Sequence, residues 1–248
     1  MNQQFIQSVS INLDEISEHS YLRRIPALRS IEELAFEHPI TFFAGENGTG
    51  KSTLLEAIAV AYGFNAEGGT RNYRFSTYDD VSELSRAVRM KKGFRRPHSG
   101  YFFRAESFFN VATKAEEYRD GDDKSAYYSR FGGKSLHEQS HGESFLSYFQ
   151  SFDQEGLFLM DEPEAALSPQ RQLTLFIQMA KMAERGSQFI VATHSPILLG
   201  IPDAQILTFD DGAVRPCRYE DTESYQITEL FINNREILVQ RLLKEDNE

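Results

Sequence analysis

Four stretches of this chain are apolar with little alternation: Ile40-Thr41-Phe42-Phe43-Ala44, Gly100-Tyr101-Phe102-Phe103, Leu157-Phe158-Leu159-Met160 and Phe189-Ile190-Val191-Ala192. Short runs of this kind predict strands buried on both faces, as in a parallel sheet covered by helices. The N-terminus differs. Phe5, Gln7, Val9, Ile11 and Leu13 put mostly apolar side chains at alternate positions until Asp14 ends the run, and Pro26 and Pro39 punctuate the residues between it and the first apolar stretch. Residues 1–40 therefore read as a small antiparallel lobe laid against the strand at 40–44.

Helical spacing takes over between these runs. Leu54, Leu55, Ile58 and Ala61 recur with a helical period, and a second helix is predicted over 79–90 with Val81, Leu84 and Val88 on one face. A third opens near Ser140 and carries Phe145, Leu146, Tyr148 and Phe149. A fourth starts with Ser168 as N-cap and Pro169 as first helical residue, presents Leu173, Phe176, Ile177 and Ala180, and stops near Gly186. Residues 205–209 and 213–218, joined by Asp210-Asp211-Gly212, predict a hairpin. Residues 224–244 close the chain as an amphipathic helix with Ile227, Leu230, Phe231, Ile237, Leu238 and Leu242 turned to the core or to a partner.

At 248 residues with 40% hydrophobic, the chain can build a core without staples. One cysteine, Cys217, excludes a disulfide framework and a cysteine-rich metal site, so a reducing, cytoplasmic setting is expected. Residues 1–12 hold no apolar secretion signal, and no run approaches the roughly 20 apolar residues of a membrane span, so no direct membrane insertion is expected. A net charge of −11 argues against sequence-blind affinity for nucleic acid or anionic lipid, although not against a local basic patch. One such patch exists, with six Lys and Arg among residues 86–96; it reads either as a grip for a phosphate backbone or acidic partner, or as a solvated helix end.

The sharpest chemistry comes directly after the strand at 40–44. Gly45-Glu46-Asn47-Gly48-Thr49-Gly50-Lys51-Ser52-Thr53 satisfies the phosphate-loop pattern, in which glycines let backbone N–H groups gather around a triphosphate at a helix N-terminus. Lys51 would reach the β- and γ-phosphates, Ser52 would ligate Mg²⁺, and Thr53 would begin the helix proper. Asp161 and Glu162 end the buried run at 157–160. Paired acids there suit a Mg²⁺ site beside a phosphate loop, with Asp161 on the metal and Glu162 free to activate water. His194 ends the run at 189–192 and is placed to donate to a γ-phosphate. Arg104 and Glu106, after the strand at 100–103, face the same crevice by the same rule. Tyr21, Arg23 and Arg29 are candidates to stack on an adenine, or ordinary surface residues.

The order of these segments, with Ser140-His141-Gly142-Glu143 and Ala166-Leu167-Ser168 between them, resembles the ATP-binding-cassette (ABC) ATPases from about residue 40 to 210. The chain is most similar to small bacterial stand-alone AAA-family ATPases related to the Rad50/SMC branch, with no room between Lys51 and Ser140 for a long coiled-coil arm. The resemblance implies an α/β phosphate-loop fold of ABC type: one domain over 1–248, a mainly parallel sheet flanked by helices, an N-terminal antiparallel β lobe and a small helical subdomain at about 77–150. It implies ATP and Mg²⁺, residues 45–53 as the Walker A loop, Asp161 as the Walker B metal residue, Glu162 as general base, and His194 as the switch histidine. Ser140, His141, Gly142 and Glu143 become the signature loop, and Ala166, Leu167 and Ser168 the D-loop. Two departures stand out. A histidine replaces the first signature glycine, and the Q-loop glutamine is missing, leaving Arg104 or Glu106 to link metal and water; Glu106 is chemically the better metal partner. The implied cycle is an ATP-dependent head-to-tail homodimer driving or gating a process on nucleic acid or a defence effector protein. The alternatives are the ATP-binding subunit of a membrane ABC transporter and a nucleotide sensor with little turnover.

Overall fold

A computed structural model describes residues 3–71, 82–108 and 140–245. Its centre is β3 (Ile40–Ala44), with every residue buried. Around it lies a six-stranded sheet in the order β5 (Ser99–Arg104), β6 (Gly156–Asp161), β7 (Gln188–Ala192), β3, β8 (Gln205–Thr208), β9 (Arg215–Pro216). All neighbours are parallel except the last pair, where Leu207 faces Pro216 across an antiparallel hairpin. The turn is where the Asp-Asp-Gly triplet predicted it, with Asp211 at φ 55° and Gly212 at φ 74°.

The unbroken apolar runs are explained by two cores, one on each face. Leu157 and Leu159 of β6 enter the core shared with α2 (Lys51–Tyr62), while Phe158 and Met160 enter the opposite one. That second core is roofed by α4 (His141–Gln150), α5 (Pro169–Glu184) and the short α6 (Pro196–Leu199), and an aromatic cluster fills it: Phe158 stacks on Phe189 at 5.1 Å and meets Phe149 edge-on at 5.4 Å. Side chains alternating across a strand need apolar residues at every position when both faces are covered.

The N-terminal lobe is a three-stranded antiparallel sheet, β2 (Leu34–Ala35), β1 (Ile6–Ile11) and β4 (Val88–Lys92), with the one-turn α1 (Pro26–Arg29) in the connection between β1 and β2. Its third strand corrects the helix predicted over 79–90. Among the described residues, α3 is only Glu83–Ala87, and the chain then turns extended at Val88 and pairs with β1 from Ile11↔Val88 to Ile6↔Lys92. The open edge of β1 overrides a marginal helical period, and with it goes the helix-end reading of the basic patch. Val81 lies outside the described residues. Of the span 77–150, the described part supplies β4 to the antiparallel sheet and β5 to the central one.

Two helix faces also differ from expectation. On α5 the buried residues are Leu175, Met179 and Met182, whereas Leu173 and Ile177 are each 52% exposed. The predicted stripe is offset by about half a turn because the helix packs through its methionines. The last helix, α7 (Glu223–Glu245), turns out of helical geometry at Asn234 (φ −131°, ψ 27°), and Ile227, Leu230, Phe231, Ile237 and Leu242 are exposed rather than in a core. Among the described residues, no helix is long and apolar enough to cross a membrane.

Candidate functional site

The loop between β3 and α2 takes its shape from glycines at positive φ: Gly45 at 131°, Gly48 at 82° and Gly50 at 102°. Gly50 is the N-cap of α2, and a side chain there would stand 2.9 Å from Ile25. The helix therefore begins at Lys51, two residues earlier than the sequence predicted. Lys51 is buried, and its ammonium donates to the carbonyls of Gly45 (2.7 Å) and Glu46 (2.6 Å). Thr49 Oγ1 donates to Glu46 O at 2.9 Å. Burial lowers the Lys51 pKa, opposed by the negative charges of Glu162, Asp210, Asp161 and Glu164, in that order.

Parallel pairing brings the acids there. Asp161 is registered with Ala192 and with Arg104 at the strands' C-terminal ends, where a doubly wound sheet opens its crevice. Burial raises the Asp161 pKa, countered by a hydrogen bond with the Ser52 side chain and by the Arg104 charge. Its Oδ1 is buried without a hydrogen-bond partner among the described residues. An orphaned carboxylate oxygen beside a serine hydroxyl fits a divalent cation. Among the described residues no group of three or more His, Cys, Asp or Glu side chains gathers to hold a metal alone.

Glu162 has left-handed backbone geometry (φ 48°, ψ 54°), held by its N–H donating to Ala192 O at 2.9 Å. Non-glycine residues rarely sit there without a constraint. Its half-exposed carboxylate has Oε1 3.9 Å from His194 Nε2, beyond hydrogen-bond reach. His194 is itself fixed through its backbone, whose N–H donates to Glu164 Oε1 at 2.6 Å. Burial, then Lys51, lowers the His194 pKa, so the ring is neutral at physiological pH, and Nε2 is buried without a partner among the described residues. Glu164 is a residue that sequence reasoning missed; the pair Asp161 and Glu162 was legible, but the contact from Glu164 to the His194 N–H was not.

The other candidates are less central. Arg104 donates to Glu56 Oε2 (2.6 Å) on α2 and to Ala66 O (3.1 Å), so its guanidinium is engaged in holding α2. Glu106 is 89% exposed, with Arg104 Nη2 4.0 Å away. Arg23 donates to Leu13 O and Ile16 O and is thereby committed to the lobe's own loops, while Tyr21 and Arg29 are exposed.

Ser140 caps α4, and its N–H donates to Glu143 Oε2 at 3.0 Å. Gly142 lies so close to Ala166 that a Cβ would stand 2.7 Å from the Ala166 carbonyl. Arg171, another residue not singled out from sequence, bridges to this segment by donating to Ser140 Oγ (3.1 Å) and Glu143 Oε1 (2.8 Å). Residues 140–143 and the segment at 166–168 are therefore packed against each other. Glu138, Gln139 and the His141 side chain lie outside the described residues. A cavity of about 480 Å³ is lined by Gly45, Glu46, Asn47, His194 and Asp210, with the first turn of α7 opposite. Ser140, Gly142 and Glu143 do not line it.

Residues 144–200, under a quarter of the chain, match the family model described as "AAA domain, putative AbiEii toxin, Type IV TA system". Among solved structures, the chain is similar to cbiO1 from Clostridium perfringens, part of the ABC transporter complex cbiONQ. That match has 16% identity over 84% of this chain and 89% of that one, with a TM-score of 0.48. It is also similar to the SMC head domain from Thermotoga maritima, with 15% identity over 75% and 93% and a TM-score of 0.41. No curated protein matches. Strand order and loop geometry support a phosphate-loop α/β fold, with the AAA-domain match covering residues 144–200.

Proposed function

We propose that this chain hydrolyses ATP to ADP and phosphate, and that two copies close head to tail around the nucleotide. The observation that carries the reading is the buried Lys51, held by the carbonyls of Gly45 and Glu46 in a glycine loop that opens α2, with Asp161 and Glu162 at the C-terminal end of β6 in the same parallel sheet. The N–H groups of residues 45–53 bind the triphosphate, and Lys51 exchanges its loop carbonyls for phosphate oxygens. Ser52 and Asp161 are the residues that would hold Mg²⁺, with Glu106 as an outer contact. Mg²⁺ supplies charge neutralisation on the triphosphate when bound.

The remaining work belongs to the chain's own groups. Glu162 takes a proton from the water whose oxygen attacks the γ-phosphorus as the bond to the bridging oxygen breaks. His194, kept neutral, still has one ring N–H to give to a γ-phosphate oxygen. Ser140 and the N-terminus of α4, which do not line this chain's own cavity, act on the partner's nucleotide, as a twofold dimer requires of a chain with one set of segments. The output is a nucleic-acid or effector-protein transaction in the cytoplasm, with nucleotide state biasing association.

The test is light scattering of Glu162→Gln with and without MgATP. A shift from monomer to dimer that depends on MgATP is expected; a monomer throughout contradicts the composite site.

A further inference from the structure

The phosphate loop is held at its first turn by a residue that does not belong to it. Thr208 of β8 is in register with Ala44 of β3, so the residue two places beyond each strand, Asp210 and Glu46, come side by side. Asp210 Oδ1 accepts the Glu46 backbone N–H at 2.9 Å. The other oxygen, Oδ2, accepts the Thr208 hydroxyl at 2.8 Å, and Thr208 Oγ1 accepts Asp210's own N–H at 3.3 Å. One carboxylate oxygen is therefore anchored by a strand of the central sheet while the other holds the loop. Gly45 provides the clearance: a Cβ there would lie 2.7 Å from Asp210 Oδ1. On its far side the same turn is gripped by Lys51 through the carbonyls of Gly45 and Glu46.

We infer that Asp210 is a positioning residue for nucleotide binding: by holding the Glu46 N–H, it sets the first turn of the loop so that the N–H groups after it face one phosphate volume. The inference rests on the ATP reading and deepens it. A carboxylate beside a triphosphate is repulsive in its charge, so what Asp210 contributes is its acceptor geometry. The sequence hid this role, since an acid before Asp-Gly is what any hairpin turn accepts.

That separation of charge from geometry makes the test specific. Asp210→Asn keeps an oxygen for the Glu46 N–H and sheds the charge, and the Thr208 hydroxyl can rotate to accept from the new amide. Asp210→Ala removes the acceptor. Titration of a fluorescent ATP analogue, with steady-state phosphate release alongside, is expected to show Asp210→Ala weakening binding and raising KM about tenfold, the scale of one charge-assisted hydrogen bond, with kcat within about threefold. Asp210→Asn is expected to restore binding to the wild-type level or tighter. If Asp210→Ala does not fold, Asp210→Ser, too short to reach Glu46, is read in its place. Unchanged affinity in the truncated variant, or equal loss in it and in Asp210→Asn, overturns the inference. Lys51→Ala is the reference: if it loses binding while the Asp210 variants do not, only this inference fails, whereas no binding by the wild-type chain removes the ATP reading beneath it.

Discussion

Glu162→Gln is the perturbation that separates chemistry from binding in this site. The substitution keeps the side chain's size and leaves intact the backbone contact that holds the residue, its N–H to Ala192 O at 2.9 Å. The carboxylate is 44% exposed and makes no hydrogen bond to His194, so little native contact is lost and the fold should be indifferent. What disappears is the proton acceptor. A positioned general base contributes about 10²–10⁴ in rate, or about 2.7–5.4 kcal/mol of transition-state stabilisation. Lys51 also loses one of the four negative charges that oppose its burial, but triphosphate affinity should fall little, because the loop N–H groups are untouched. The assay is phosphate release under single-turnover conditions, with nucleotide binding and melting temperature measured on the same preparation. A rate loss of at least about a hundredfold with binding and melting unchanged is expected. A rate within about threefold of wild type would refute the general-base assignment, and a loss that tracks the melting temperature would reduce Glu162 to a structural role.

The same geometry sets three further expectations. Lys51→Ala should weaken ATP binding itself, seen by equilibrium dialysis, and unchanged affinity would contradict the loop assignment. Phe158→Ala removes a side chain with no exposure that meets Phe149, Phe152 and Phe189, and should cost about 3–5 kcal/mol in denaturant unfolding; a cost under about 1 kcal/mol would mean the aromatic core repacks. The His194 pKa is lowered in the folded state, so the unfolded chain binds more protons below the ordinary histidine value of 6.5. Its contribution is a stability that is lost as pH falls from about 6.5 toward the lowered folded value, and His194→Gln should flatten that part of a melting-temperature profile. Equal slopes in the two proteins would contradict the buried, neutral histidine.

How much of the fold and the site was legible in the sequence depends on whether the cause was local. The loop at 45–53 announces itself because phosphate chemistry demands fixed glycines, and the runs at 40–44, 157–160 and 189–192 announce buried strands because both faces are covered. The hairpin at 210–212 is written in its turn residues. Residues 86–96 misled because a strand's choice of partner is not local: only the free edge of β1 makes Val88–Lys92 extended. The same holds for Asp210, Glu164 and Arg171. Each acts through a residue far away in the chain (Glu46, His194 and Ser140), and nothing in its own neighbourhood signals the contact. The stripe on α5 was offset because helical spacing alone does not say which of two apolar faces the sheet will take. On α7 the period was legible, but whether the apolar face meets a core is decided by the rest of the molecule, and here it does not.

A crystal structure with a non-hydrolysable ATP analogue and Mg²⁺ tests the central claim most directly. The γ-phosphate is expected within reach of Lys51 Nζ, with the metal between Ser52 and Asp161, and with Glu162 and His194 facing the terminal phosphate. Nucleotide bound elsewhere on the surface, or a terminal phosphate remote from Glu162, would contradict it.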